Sequence, residues 1–560
     1  MKNNPIIIFI LLLIWGCANR IQPTGGPKDI KPPELISSIP ENGQRNFKDQ
    51  ELAIEFDELI TVKDIKEQLI ITPRINGEYD FRTKKKTFFL NFDEPLTDST
   101  TYTLNFRDGL VDLTESNPAV ELQLAFSTGN LLDTLEISGV VLDILTQDPI
   151  DGATIGLYDV DDTLDIFSGQ PYYFTKSNEA GKYTFKNIKD GAYRLYSFFD
   201  NNKNLTCQSE KEKYAFLANT IMLDTIHYAD TMNIQYLNID TLVLKRARPN
   251  GRYFTVTANK YLTNATLRST NDSTLAYKYD DDHKSLKVYN TFSIIDSLKV
   301  FATLQDSLGM VVQDSFYLKF PTSTRKLDEF KASFKKPNAS LKKKIISGEI
   351  VFDKPLQQIV LDSVSIKRDS LEQYYLAEKI SYQLDSINHI LKYTIEIPQA
   401  ILDSLSENSQ SPATPAAKGT RKKLSKANYE LSFPKASFIS VEDDSLKATV
   451  NQIKLTDSSQ SGLISGSINT SYKSFIIQLL DNKYEVVKEH KNGTSYVFSD
   501  VVPGEYYIRV LIDNNENGKW DLAYFRQNIP AEGVIIYKDG EGNSKTVLRA
   551  NWELTVDLAF

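Results

Sequence analysis

Residues 511 to 521 read LIDNNENGKWD, the spacing of a loop that gathers oxygen atoms at the end of a strand. Asp513, Asn515, Asn517 and Asp521 stand at places one, three, five and nine, with Gly518 at six. Alternate side chains of so short a loop turn inward, and a glycine allows the sharp turn; Lys519 can add its carbonyl. A hard cation such as Ca2+ takes about six to eight oxygens, the last two usually from a bidentate Glu at place twelve. Here that place holds Tyr524. With two carboxylates the expected site is weak, in the millimolar class of extracellular modules. The alternative is a turn whose Asp and Asn side chains are satisfied by their own backbone. Neither version leaves an open position for a reacting group, so the loop is read as a structural staple.

Other chemistry is sparse. The four histidines, at 227, 283, 389 and 490, are far apart and form no His-Glu-x-x-His helix. Zinc sites cluster His and Cys at short spacings, and this chain does not. No Gly-x-Ser-x-Gly elbow and no phosphate loop ending in Gly-Lys-Ser/Thr is present. Acid pairs such as Asp57-Glu58 and Asp443-Asp444 fit solvated turns in a chain that is 24% charged. A glycosidase pair would have to hide among 73 acidic residues. The expectation is a protein that is not an enzyme. The net charge is −9 and the sequence shows no concentrated basic face, which argues against a nucleic-acid partner.

The first residues, MKNNPIIIFILLLIWGCANR, place one Lys before an apolar run from Ile6 to Trp15, too short to span a bilayer and of signal-peptide length. Ile14-Trp15-Gly16-Cys17 resembles the lipobox of bacterial lipoproteins. That resemblance implies cleavage before Cys17 and acylation of its thiol and amine, a stable anchor because each buried methylene adds about 0.8 kcal/mol. Cys207 would then be the one remaining cysteine, so no internal disulfide could form and stability must come from packing or ions. By resemblance to Gram-negative lipoproteins, Ala18 directs the protein to the outer membrane. The first acid is Asp29, which leaves the membrane face open, and a weak Ca2+ site favours the cell surface.

These residues must be carried by strands. With 29 Tyr and 29 Phe and little Met, the composition suits half-buried sheets. Residues 17–32, rich in Pro and Gly, read as a tether. In ELAIEFDELI, Leu52, Ile54 and Phe56 share a face, as do Tyr102, Leu104 and Phe106 in TYTLNF. This period-two alternation predicts an all-β fold, a tandem array of β-sandwiches behind the leader. PPELISSIPENGQRNF, these two strands and LAFSTG together resemble the bacterial Ig-like domain of surface-layer and envelope proteins over 33–130.

Residues 134–245 open with ISGVVLDILTQDPIDGATIGLYDV and continue through GKYTFKNIKDGAYRLYSFFDNNKN. They resemble the carboxypeptidase regulatory-like domain, a prealbumin-like sandwich and usually a non-catalytic appendage, with a decorated extension. YTFKNIKDGAYRLYSFFDNNKN aligns without a gap with YVFSDVVPGEYYIRVLIDNNEN at a constant offset of 313 residues (183 to 496, 191 to 504, 200 to 513). Residues 461–560 are therefore a second copy. In the first copy Leu205 replaces the loop glycine and Gln208 the last Asp. Residues 246–322 alternate as another sandwich. Residues 323–460 look Ig-like, around a polar stretch at 406–423 read as a flexible segment.

The array is similar to outer-membrane lipoproteins of the Bacteroidota. It implies a scaffold docked on an outer-membrane β-barrel protein or its assembly or secretion machinery, through aromatic anchors or strand addition. The competing expectation is a surface lipoprotein that captures glycan or nutrient. Its candidate site is GQPYYF, where one of the adjacent Tyr172 and Tyr173 should point outward.

Overall fold

The structure, a computed structural model, describes residues 29–560 apart from 272, 292–296, 323, 325, 341–342, 369–371, 404–428 and 454–460. The Cys17 lipobox, most of the tether and the 406–423 segment lie outside the described residues. The fold is a tandem array of β-sandwiches. Contacts divide it into two compact units. One holds the residues up to Val141 with Pro149–Cys207 and Asn219–Met232; the other holds Leu142–Asp148, Gln208–Ala218 and Asn233–Phe560.

The first unit begins with a sandwich whose larger sheet runs Leu35–Ile39, Glu51–Phe56, Thr87–Phe92, Tyr79–Lys84 in spatial order. Opposite it lie Ile70–Thr72, Thr101–Asn105 and Gln123–Ser127. The alternation in the sequence is the reason the two sheets close. Leu52, Ile54 and Phe56 meet Tyr102, Leu104 and Phe106 in one core, all 2% exposed or less. Each such side chain adds roughly 1.5–3 kcal/mol of burial free energy.

The second sandwich pairs Leu135–Asp143 with Lys182–Ile188 antiparallel and with His227–Tyr228 parallel. Thr154–Asp159 pairs Tyr173–Lys176 and Gly191–Phe198, and Gly191–Phe198 also pairs Ile221–Leu223. In the second unit the last hundred residues repeat these pairings. Gly462–Asn469 pairs Ser495–Val501 antiparallel and Glu553–Thr555 and Leu558–Ala559 parallel. Phe475–Leu480 pairs Val486–Lys491 and Gly504–Ile512, and the latter pairs Thr546–Leu548. The repeat seen in the sequence is thus a repeat of topology, including a closing strand that returns parallel to the first.

Between them lie two further sandwiches. One places Leu244–Asn250, Tyr253–Ala258, Ser285–Val288 and Tyr277–Tyr279 against Leu262–Ser269, Leu298–Asp306 and Val311–Leu318. The other places Ala332–Phe334, Ile345–Phe352, Ile390–Glu396 and Ile380–Asp385 against Glu372–Tyr375, Ser365–Arg368, Tyr429–Phe433 and Thr449–Ile453. The latter carries a mark of the two repeats that its sequence reading missed. Ile-Ser-Gly stands at 137, 346 and 464, and each glycine faces a tyrosine across the ladder: Gly139 and Tyr183, Gly348 and Tyr393, Gly466 and Tyr496. A methyl group on Gly139 or Gly348 would lie 2.3 or 2.2 Å from that tyrosine's oxygen. The ring covers the space a side chain would fill.

Candidate functional site

The loop at 513–521 leaves the strand Gly504–Ile512 and folds around Asp513, whose side chain is buried. Asp513 Oδ1 accepts the N–H of Asn517 at 3.1 Å, and Oδ2 accepts that of Gly518 at 2.8 Å and the Ser474 hydroxyl at 2.6 Å. Burial alone would raise the Asp513 carboxyl, but these donors outweigh it and hold the pKa below the ordinary carboxylate value. Asn515 Oδ1 accepts the Asn517 N–H and Asn517 Oδ1 accepts that of Lys519. Gly518 (φ +86°) and Glu516 (φ +57°) take left-handed backbone to make the turn.

The four side chains the sequence singles out do come together, with Lys519 contributing a backbone donor. Their arrangement is not that of a calcium cage. Asp521 Oδ2 accepts amide N–H from Asn515 at 2.7 Å and from Asn517 at 2.5 Å. Nitrogen, not oxygen, therefore faces the second carboxylate. Among the described residues no group of three or more His, Cys, Asp or Glu is placed to hold a metal ion. In this arrangement the loop is closed by its own hydrogen bonds.

What closes it was missed in the sequence. Glu532, 9% exposed, accepts the N–H of Asn514 and Asn515 on Oε1 and that of Asp521 on Oε2. The signal was the earlier copy. There Asp200 accepts the N–H of Asn204 and Leu205 as Asp513 does those of Asn517 and Gly518. Glu212 accepts the N–H of Gln208, the counterpart of Asp521. Leu205 holds φ +58° where the later copy has glycine, and Lys203 φ +61° matches Glu516. The geometry survives even where the glycine and the last Asp do not.

Tyr172 and Tyr173 divide as expected of neighbours on a strand: Tyr172 is 48% exposed and Tyr173 is buried, their rings edge to face at 4.8 Å. The Tyr172 carbonyl accepts the Arg74 N–H at 3.1 Å, and Gln170 accepts the Arg74 guanidinium at 2.8 Å. This segment therefore ties the first sandwich to the second. The candidate glycan loop is also a joint.

Buried polar groups in the second unit brace single sandwiches and join neighbouring ones. Within its own sandwich Lys354, 1% exposed, donates to Glu442 at 2.8 Å, to Asp444 at 2.7 Å and to the Asp328 carbonyl at 2.5 Å. Lys278 donates to the Phe352 carbonyl, Tyr289 to that of Asp353 and His389 Nε2 to that of Tyr277. Burial depresses the His389 imidazole to about 4, which keeps it neutral, and the Tyr277 carbonyl facing Nε2 places the hydrogen there. Lys343 reaches Asp500 at 3.0 Å and Ser499 at 3.1 Å in the last sandwich. Arg509, 7% exposed, is shared between Gln478 and the Leu145 carbonyl.

Residues 29–128 match the family model of the bacterial Ig-like domain. No curated protein matches the chain. The Bacillus anthracis TIE protein is similar at 8% identity over 100% of this chain and 79% of that one, with a TM-score of 0.13. The major pilin subunit BcpA of Bacillus cereus is similar at 9% identity over 76% and 99%, TM-score 0.13. Domains 1–6 of the surface-layer protein SbsC are similar at 10% identity over 93% and 67%, TM-score 0.15. Similarity of that degree carries no argument about function.

Proposed function

We propose that this chain is a non-catalytic lipoprotein of the outer membrane, anchored through Cys17, whose sandwiches form a scaffold. Its partner would be an outer-membrane β-barrel protein or the machinery that assembles or secretes through one. The observation that carries this reading is the joint between the two middle sandwiches made by Lys278, Tyr289 and His389. A scaffold needs fixed geometry between modules, and three side chains that bond backbone carbonyls across this boundary, the buried His389 among them, supply it. Leaving one of these buried groups without its partner costs about 1–3 kcal/mol. An edge for docking is at hand: Val311–Leu318 ends its sheet, with Val311 and Tyr317 56% and 68% exposed. Main-chain groups on such an edge can accept an added strand.

The test is a pull-down of the tagged, lipidated protein from its native membrane in mild detergent, followed by mass spectrometry. A β-barrel protein in stoichiometric amount is the expected result, and recovery of the protein alone would overturn it. Cys17→Ser should release the protein to the soluble fraction. A second reading, glycan capture, rests on the half-exposed ring of Tyr172. It expects a polysaccharide that retards the protein in an affinity gel and no longer does so after Tyr172→Ala.

A further inference from the structure

Arg252 is a charged side chain that these joints do not use. It follows Gly251 (φ +63°) in the tight turn between Leu244–Asn250 and Tyr253–Ala258. Its Nε is enclosed by protein and has no hydrogen-bond partner among the described residues. A buried donor left unpaired costs free energy, so the site is set to gain from an acceptor. Arg252 lines two cavities, one of about 280 Å³ and one of about 430 Å³.

The smaller cavity is lined by Asn250, Thr255, Lys287 and Lys326 beside Arg252, with Asp280 and Asp328 as its acids. Asp328 is already paired with Lys287 at 3.0 Å, and the Lys287 ammonium lies 3.7 Å from the centre of the Tyr253 ring. That leaves Arg252 and Lys326 in excess over Asp280. The larger cavity is different, since it brings in Glu442 and Asp443. An anion is therefore drawn to the smaller one.

The basic character continues along the strand. Arg248 stands opposite Thr255 and Arg246 opposite Thr257, on the face away from the buried Phe254 and Val256. Both arginines are exposed, and their residues repeat about 6.6–6.8 Å apart along one face of the strand. At a net charge of −9 the chain still carries Arg246, Arg248 and Arg252 within seven residues, and they give it a local basic face. We propose that Arg252 and this strand bind the oxyanion groups of an acidic saccharide chain, one carboxylate or phosphate in the cavity and the next along Arg248. A guanidinium matches such groups through two parallel N–H donors. Nucleic acid is disfavoured because the nearest ring, Tyr253, is covered by Lys287 and offers no free face to a base.

The experiment is calorimetric titration of the full chain in detergent with trigalacturonate, its methyl ester, inorganic phosphate and a single-stranded oligonucleotide. Trigalacturonate is expected to bind, about tenfold more weakly after Arg252→Ala and severalfold more weakly after Arg248→Ala, with salt weakening all three. Arg252→Gln should behave as Arg252→Ala, and unchanged melting of each variant shows that the fold is kept. Competition by phosphate supports the oxyanion site. Absence of binding, equal binding of the ester, indifference to Arg252→Ala, or tighter binding of phosphate or the oligonucleotide would each overturn the proposal.

Discussion

At the scale of single residues, the staple at 513–521 is held by the carboxylates of Asp513 and Glu532, which accept its backbone N–H groups. Glu532→Ala removes the acceptor of three backbone N–H groups at once. Each lost bond to a charged group is worth about 1.5–3 kcal/mol, with solvent recovering part. A fall of roughly 2–4 kcal/mol in urea-unfolding stability is expected, whereas 1 mM Ca2+ or a chelator should leave the unfolding midpoint of the wild type where it is. Gly518→Ala should cost about 1 kcal/mol, for its backbone alone, since nothing lies within 4 Å of the new methyl. The sequence made the first half of this site plain, because Asp513, Asn515 and Asn517 follow one another at fixed spacing. It concealed Glu532, which lies 11 residues past Asp521 and is brought in by the fold of the returning chain. A carboxylate with no periodic neighbour looks like any other of the 73 acids.

Among elements, the strands that open with Ile-Ser-Gly depend on the tyrosine across the ladder. Gly348→Ala sets a methyl against the Tyr393 oxygen and ring and should cost about 1–3 kcal/mol. Tyr393→Phe should recover part of that loss, which a double-mutant cycle would show as a coupling of about 1 kcal/mol. Tyr183→Phe should be neutral or stabilising, because the Tyr183 hydroxyl is buried with no hydrogen-bond partner among the described residues. Gly466→Ala is the severe case. Its methyl would meet the Val556 carbonyl oxygen at 1.8 Å, and backbone of the returning parallel strand cannot rotate away. Loss of about 3 kcal/mol or more is expected, read as failure of the far-ultraviolet spectrum to survive mild urea. Alternation identified strands such as Glu51–Phe56 without difficulty. Pairing was legible only where the chain repeats itself: residues 323–460 share the glycine–tyrosine device, but their flanking sequence has diverged too far to show it.

For the molecule as a whole, the array of sandwiches could be read from composition and period, while the joints could not. Lys278, His389 and Arg509 are ordinary polar residues until the sandwiches meet, and no local pattern marks them. The joint at His389 gives a pH signature. The folded imidazole is depressed to about 4 by burial, against an unfolded value near 6.5. Above about 6.5 both states are neutral and nothing is lost. Below it the unfolded chain takes a proton that the folded chain refuses, so stability falls by about 1.4 kcal/mol per pH unit until about 4. Between pH 7.5 and 5.5, His389→Gln should therefore lose roughly 1.4 kcal/mol less than the wild type in urea titrations. The closing strands of the last sandwich have a mechanical consequence. Glu553–Thr555 and Leu558–Ala559 run parallel to Gly462–Asn469, so the chain enters at one end of this seam and leaves at the other. Tension between residues 461 and 560 would shear all of its bonds together instead of peeling them one by one. A single-molecule pull along that axis should meet its highest resistance in that seam, and a body tethered at one end and loaded at the other would yield elsewhere first.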